Sequence, residues 1–217
     1  MIPVPALALL TGKVRPFARG ETSAIDKRPV AGRVHIGRLG ITADQQADHR
    51  HHGGPDKALH HYPHDHYARW RRDRPDQPLL AGPGAFGENL STDGLVETAV
   101  CIGDRFRLGS ALIEVSQGRQ PCWKQGERLG WPALPALIVR ERLSGWYYRV
   151  VEPGEAAAGD ALTLVERVHP DWSVARVFGL LVAGDHRRDP TALGVLAGMA
   201  ALFPGWRKRA GDLMAKG

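Results

Sequence analysis

"VCIGDRFRLGSALIEVSQ", residues 100 to 117, decides the fold class. Val100 and Ile102 alternate with polar or small neighbours, as do Phe106 and Leu108, and then Ala111, Ile113 and Val115. A period of two belongs to strands, and Gly109-Ser110 between two such runs supplies a turn. The stretch therefore predicts a hairpin with one buried face and one variable face. Working outward, "WYYRVV" (146–151) and "DALTLVERV" (160–168) read as further strands, with "EPGEAAAG" as the turn between them. "MIPVPALALL" reads as a first strand. It lacks a basic leader and holds two prolines, which argues against a signal peptide. Pro63 opens a candidate helix with Tyr67 and Trp70 on one side.

After about residue 169 the pattern changes. Ser173 is a plausible helix N-cap, Asp189-Pro190 begins "PTALGVLAGMAAL", and Pro204 opens "PGWRKRAGDLMAK". The reading is mainly β with α: a β domain over 1–168 and a small three-helix domain over 169–217. The 217 residues are 43% hydrophobic and 24% charged, with 26 glycines and 16 prolines, which favours turns and short strands over a helical bundle.

Two cysteines cannot build a disulfide framework, although one bridge between them stays open. "ALGVLAGMAALF" is too short to span a bilayer. A cytoplasmic protein with no membrane partner is the expectation. The net charge of +6 fits an anionic partner: nucleic acid, a phosphate or a nucleotide-like cofactor. The basic run "ARWRRDRP" (68–75) is interrupted by Asp73 and reads as a solvated helix end. Aromatic and basic residues do not interleave, which counts against nucleic-acid binding.

"GPGAFG" (82–87) satisfies GxGxxG in letters, but Pro83 sits inside it and a turn-like "ENLSTDG" follows, so the match is accidental. Seven of the ten histidines fall between residues 49 and 66. Zinc would want three or four of them converging. Pro63 breaks any single helix through them and no thiolate lies nearby, so exposed or core-satisfied histidines are the other reading. His52-Gly53-Gly54 reads differently. Two glycines let backbone N–H groups converge on an anion, Pro55 fixes the next turn, and Asp56 and Lys57 supply a polar anchor.

"SQGRQPCWK" (116–124) follows the hairpin, which puts Cys122 in a loop at a strand end. Flanking Arg119 and Lys124 favour a thiolate, which is both a nucleophile and a soft metal ligand. A small buried hydrophobe is the alternative for Cys122, and the main reading for Cys101 within its strand.

Taken in order, "HHGGPDKALHHYP", "FGENLSTDGL", "CIGDRFRLGSA" and "SQGRQPCWK" resemble the signature blocks of the MOSC-domain family, the molybdenum cofactor sulfurase C-terminal domain. The bacterial YiiM-like branch is the most similar, and "SAIDKRPV" and "SGWYYRV" fit it too. The resemblance spans about residues 11 to 168, and the helical tail resembles that branch's C-terminal three-helix domain. It implies a closed, mostly β barrel-like fold that binds the molybdenum cofactor, a pterin dithiolene carrying a phosphate. Cys122 becomes the metal ligand, with cofactor contacts among Lys27, His52, Gly53, Gly54, Asn89, Ser116 and Arg119. Asp104, in the "IGD" turn, is a candidate for proton handling or for holding the pterin, with turn stabilisation as its other reading.

The implied activity is reduction of N-hydroxylated compounds such as 6-N-hydroxylaminopurine. The N–OH oxygen is removed at the Cys-ligated molybdenum, and an electron-donor protein restores two electrons. A non-catalytic carrier of the cofactor or of sulfur is the alternative, and a basic nucleic-acid-binding protein a further one. Three departures from the branch stand out. Ala43 replaces a glycine before Asp44, Gly118 replaces a proline, and the segment after Cys122 is shortened. Gly118 is expected to loosen the loop that presents Cys122, and the shortened segment to reshape the substrate pocket.

Overall fold

The computed structural model describes residues 2–48 and 53–216. Nine strands form its main sheet: β1 (Val4–Pro5), β2 (Ala8–Gly12), β3 (Lys27–Pro29), β4 (Leu59–His61), β5 (Leu90–Ser91), β6 (Arg105–Leu108), β7 (Ala111–Gly118), β8 (Trp146–Glu152) and β9 (Ala161–Glu166). Their order is β1-β9-β6-β7-β8-β4-β5-β2-β3. The two ends of that order meet in sequence, because β1 and β2 are successive pieces of one segment. That segment pairs with β9 through Val4 and with β5 through Ala8, so the sheet curls back toward itself as a barrel. The sheet is mixed, with β4 and β5 parallel.

The β6–β7 hairpin forms in the register the alternation dictates, Leu108 opposite Ala111 around Gly109-Ser110. Gly109 has φ +57°, a left-handed conformation that glycine adopts without steric cost. One expectation fails. β6 alternates half-buried and buried residues, but every residue of β7 is buried. On the second face Arg105 and Arg149 cover Glu114, Asp56 meets Ser116, and the helical tail closes on Gly118.

Other boundaries also shift. The N-terminal stretch bends into two strands, and the supposed turn "EPGEAAAG" contains a short strand, Gly154–Ala156, paired with Val34–Gly37. Cys101 lies outside the regular strands, in an isolated bridge to Ser173.

Among the described residues six α-helices complete the fold: α1 (Asp65–Asp73), α2 (Trp123–Arg128), α3 (Leu134–Glu141), α4 (Val174–Phe178), α5 (Ala192–Gly198) and α6 (Pro204–Met214). α1 starts two residues after Pro63 and buries His66, Tyr67 and Trp70. Ser173 caps α4 by accepting from the Arg176 N–H at 3.2 Å, and Pro204 opens α6 as the sequence predicts. Two apolar clusters hold the chain. The larger joins barrel residues such as Ile113 and Tyr148 to Phe178, Leu196 and Trp206 of the tail. The smaller packs Tyr62, Tyr67, Trp70 and Phe86 against Leu129, Leu134 and Ile138. No helix among the described residues is long and apolar enough to cross a membrane.

Candidate functional site

β7 ends at Gly118, and the chain then carries Arg119 inward before Pro121 turns it toward α2. Cys122 occupies the N-cap position of α2 in extended conformation and is half-buried. Arg119 is 5% exposed. Its Nη2 donates to the Cys122 sulfur at 3.4 Å, and its Nη1 donates to Gln125 Oε1 at 2.5 Å and to the Gln120 carbonyl at 3.0 Å. The Tyr147 phenol lies close enough to act on its charge. Burial opposes the guanidinium's charge, but the Cys122 sulfur and the Tyr147 phenol outweigh it and hold its pKa above the ordinary value. Burial likewise pushes the Tyr147 phenol up, so it stays protonated at neutral pH.

Arg119, Cys122 and Tyr147 line an open pocket of about 610 Å³, a volume that includes the solvent at its mouth. Lys27, Asp44, Lys57, His60, Asn89 and Lys124 share its walls. Lys27 places its ammonium 2.5 Å from both oxygens of Asp44. Burial lowers the pKa of Lys27 against the pull of Asp44. Asn89, just before β5, ties β4 and β2 to the segment that carries Asp44. It accepts from the His60 N–H at 3.1 Å, and its amide donates to the Leu10 carbonyl at 3.1 Å and to Asp44 at 2.8 Å. Lys124 reaches the Thr22 carbonyl at 3.0 Å and Glu21 at 2.8 Å.

His60 is 3% exposed, and its Nε2 finds no partner among the described residues. Burial first, then the charge of Arg119, lowers its pKa well below the ordinary value, so it is neutral at pH 7. The remaining described histidines of the cluster point elsewhere. His61 sits between Tyr148 at 3.1 Å and Thr92 at 3.0 Å, His64 meets Asp93, and His66 meets Glu97 at 2.7 Å. Among the described residues no three His, Cys, Asp or Glu side chains gather to hold a metal.

The pocket thus brings together Lys27, Asn89, Arg119 and Cys122. Gly54 (φ +96°) begins the single helical turn that carries Lys57, and with Asp44 it borders an adjoining groove. Gly53 precedes it and is half-buried. His52 lies outside the described residues.

Two expected site residues are elsewhere. Ser116 is fully buried with its hydroxyl against the Asp56 carbonyl at 2.6 Å and the Tyr147 carbonyl at 3.1 Å, so it ties backbone together and does not line the pocket. Asp104 is also buried and outside the pocket. It accepts from the Cys101 N–H at 2.8 Å and from Arg167 at 2.6 and 2.9 Å, which is the turn-stabilising role. Gly118 is no loose hinge either, since it is buried at the end of β7.

Sequence reasoning missed Tyr147, His60 and Asp44 as pocket groups. Tyr147 was legible only as a strand residue, and pairing of β8 with β4 sets it opposite His60.

Known proteins add to this picture. A family model described as the MOSC domain matches residues 48–163. The protein named YiiM of Escherichia coli (strain K12) is 46% identical over 158 residues, 73% of this chain and 70% of that protein. A protein named Reductase from Gibberella moniliformis is 40% identical over 174 residues, which span 79% of this chain but only 31% of the longer fungal protein. The crystal structure of YiiM from Geobacillus stearothermophilus superposes with a TM-score of 0.81 at 35% identity, covering 98% of this chain and 100% of that one. The family match, these identities and the shared fold agree: the chain belongs to the MOSC domain family.

Proposed function

We propose that the chain is a molybdenum-cofactor-binding reductase of N-hydroxylated compounds, with Cys122 as the protein's ligand to the metal. The observation that carries this reading is the Arg119 guanidinium against the Cys122 sulfur. A buried cation needs an anion beside it, and among the described residues no carboxylate pairs with Arg119. Cys122 as a thiolate supplies that charge, and a thiolate suits a soft metal.

The donor set fits a metal that brings most of its own ligands, because Cys122 is the soft donor among the described lining residues and no three metal-capable side chains gather there. Lys27, Lys57 and Lys124 suit a phosphate. The unpartnered His60 Nε2 and Arg119 Nε are buried hydrogen-bonding atoms that a bound ligand would satisfy.

When bound, the cofactor supplies two-electron chemistry at its metal, while the protein orients, polarises and excludes water. Converting an N–OH group to N–H and water takes two electrons and two protons. Tyr147 keeps a proton on its hydroxyl beside Arg119 and is the chain's donor to the departing oxygen. Neutral His60 adds no second charge next to the guanidinium, and Phe86 gives the pocket an apolar wall for a flat substrate. The electrons come from a separate donor protein.

Protein from a cofactor-producing host should contain molybdenum and release a pterin. With a chemical reductant it should convert 6-N-hydroxylaminopurine to the amine, and Cys122→Ala should abolish this. No turnover by molybdenum-replete protein across several N-hydroxylated substrates would overturn the reductase reading and leave the carrier.

A further inference from the structure

The helical tail lies beyond the family match, which ends at residue 163. It nevertheless touches a lysine of the pocket wall. The Phe203 N–H donates to the Ser116 carbonyl at 2.9 Å, fixing the start of α6 onto β7. The Phe203 ring fills the space that a side chain at residue 205 would take, so Gly205 makes room for it. Above the same ring, at 4.9 Å from its centroid, stands the ammonium of Lys57. Lys57 lines the pocket, on the turn that follows Gly54. One aromatic side chain of the tail therefore touches a cation of the site.

We infer that Phe203 is a positioning residue, whose ring holds the Lys57 ammonium in place as an anion-binding group of the pocket. An ammonium over an aromatic face is attracted by the ring's quadrupole. A long, rotatable lysine fixed before binding loses less freedom when an anion arrives. Lys57 is also within electrostatic reach of Asp48, Asp56 and Arg119. The two carboxylates favour its charge and Arg119 opposes it, and the ring is the tail's own contact with the ammonium at the pocket wall. The tail is then part of the site. The identity of the anion rests on the cofactor reading above; the positioning of Lys57 does not.

One labelling experiment separates the two. Reductive methylation with ¹³C-formaldehyde tags the lysines of the full-length protein while keeping their charge, and Lys57→Arg identifies the Lys57 signal. The ring should shift that signal upfield, Phe203→Leu should remove the shift, and Phe203→Tyr should keep it. Inorganic phosphate titrated into cofactor-free protein should move the Lys57 signal with an apparent affinity about two- to five-fold weaker in Phe203→Leu, and restored in Phe203→Tyr. A Lys57 signal identical in wild type and Phe203→Leu overturns the inference. So does equal phosphate affinity in all three proteins at equal thermal stability. A holoprotein preparation that releases no pterin sinks only the cofactor reading, and the phosphate titration still decides the role of Phe203.

Discussion

A β-carbon at Gly118 would stand 3.0 Å from the Trp206 ring edge and 3.3 Å from Phe178. Glycine at this position lets the tail close on the end of β7, one residue before Arg119. A side chain there requires the packed rings to give by a few tenths of an ångström, and overpacking of this kind costs about 1–3 kcal/mol. Gly118→Ala and Gly118→Pro should both lower the denaturant midpoint. Proline, which the sequence suggests as a way to stiffen a loose loop, should stabilise nothing here. An unchanged or higher midpoint for Gly118→Pro would contradict this packing.

His61 links stability to pH. Its pKa is pushed down to about 3 by burial and by nearby His66, from an ordinary value of 6.5. Between those values the unfolded chain binds a proton that the folded chain refuses. The contribution of neutral His61 is therefore fully present above pH 6.5 and is lost as pH falls toward 3, with a total on the order of 5 kcal/mol. His60, lowered by burial and by Arg119, acts in the same direction. Urea unfolding of the wild type from pH 7 to 4 should show stability falling with pH, and His61→Gln should flatten that slope. Parallel slopes for the two proteins would remove His61 from the account.

How much of this was legible depended on distance along the chain. The hairpin around Gly109-Ser110 and the Ser173 cap are local patterns, and both form where the sequence places them. Cys122 and Arg119 are three residues apart, and their contact also forms. Ser116 and Asp104 misled because their partners are remote. Asp56 lies 60 residues from Ser116, and Arg167 lies 63 residues from Asp104. Strand pairing brings those partners in, and no local spacing announces it. The second buried face of β7 has the same cause, since the alternating pattern carries no mark of the remote groups that cover it, Arg149 on Glu114 and Trp206 at Gly118 among them.

Replacing Arg119 should act through sulfur more than through bulk charge. Its head group holds Cys122, Gln125 and the Gln120 carbonyl at once, an array that a lysine ammonium cannot reproduce. Charge-assisted contacts are worth about 1.5–3 kcal/mol. Arg119→Lys should therefore retain the fold yet lose pterin and molybdenum roughly ten- to a hundred-fold faster on dialysis. Holoprotein of that variant with wild-type retention would show that the guanidinium geometry is dispensable to the ligand.

Asp104 and Asn89 offer the sharpest contrast between scaffold and site, because both are buried polar residues and only Asn89 lines the pocket. Asp104 holds the turn before β6 by accepting from the Cys101 N–H and from two nitrogens of Arg167. Asp104→Asn keeps the shape but removes the charge that Arg167 pairs with, and should cost about 1.5–3 kcal/mol. Because Asp104 touches no pocket residue in that network, the holoprotein that does fold should keep its pterin and its turnover per molybdenum. Asn89→Ala instead removes one of the donors to Asp44, leaves the His60 N–H without its acceptor, and releases the Leu10 carbonyl from the Asn89 amide. Pterin content should fall in that variant even when the remaining protein is fully folded. Thermal denaturation and pterin analysis of both variants, side by side, separate the two roles. Loss of turnover in well-folded, metal-replete Asp104→Asn would return Asp104 to the chemistry.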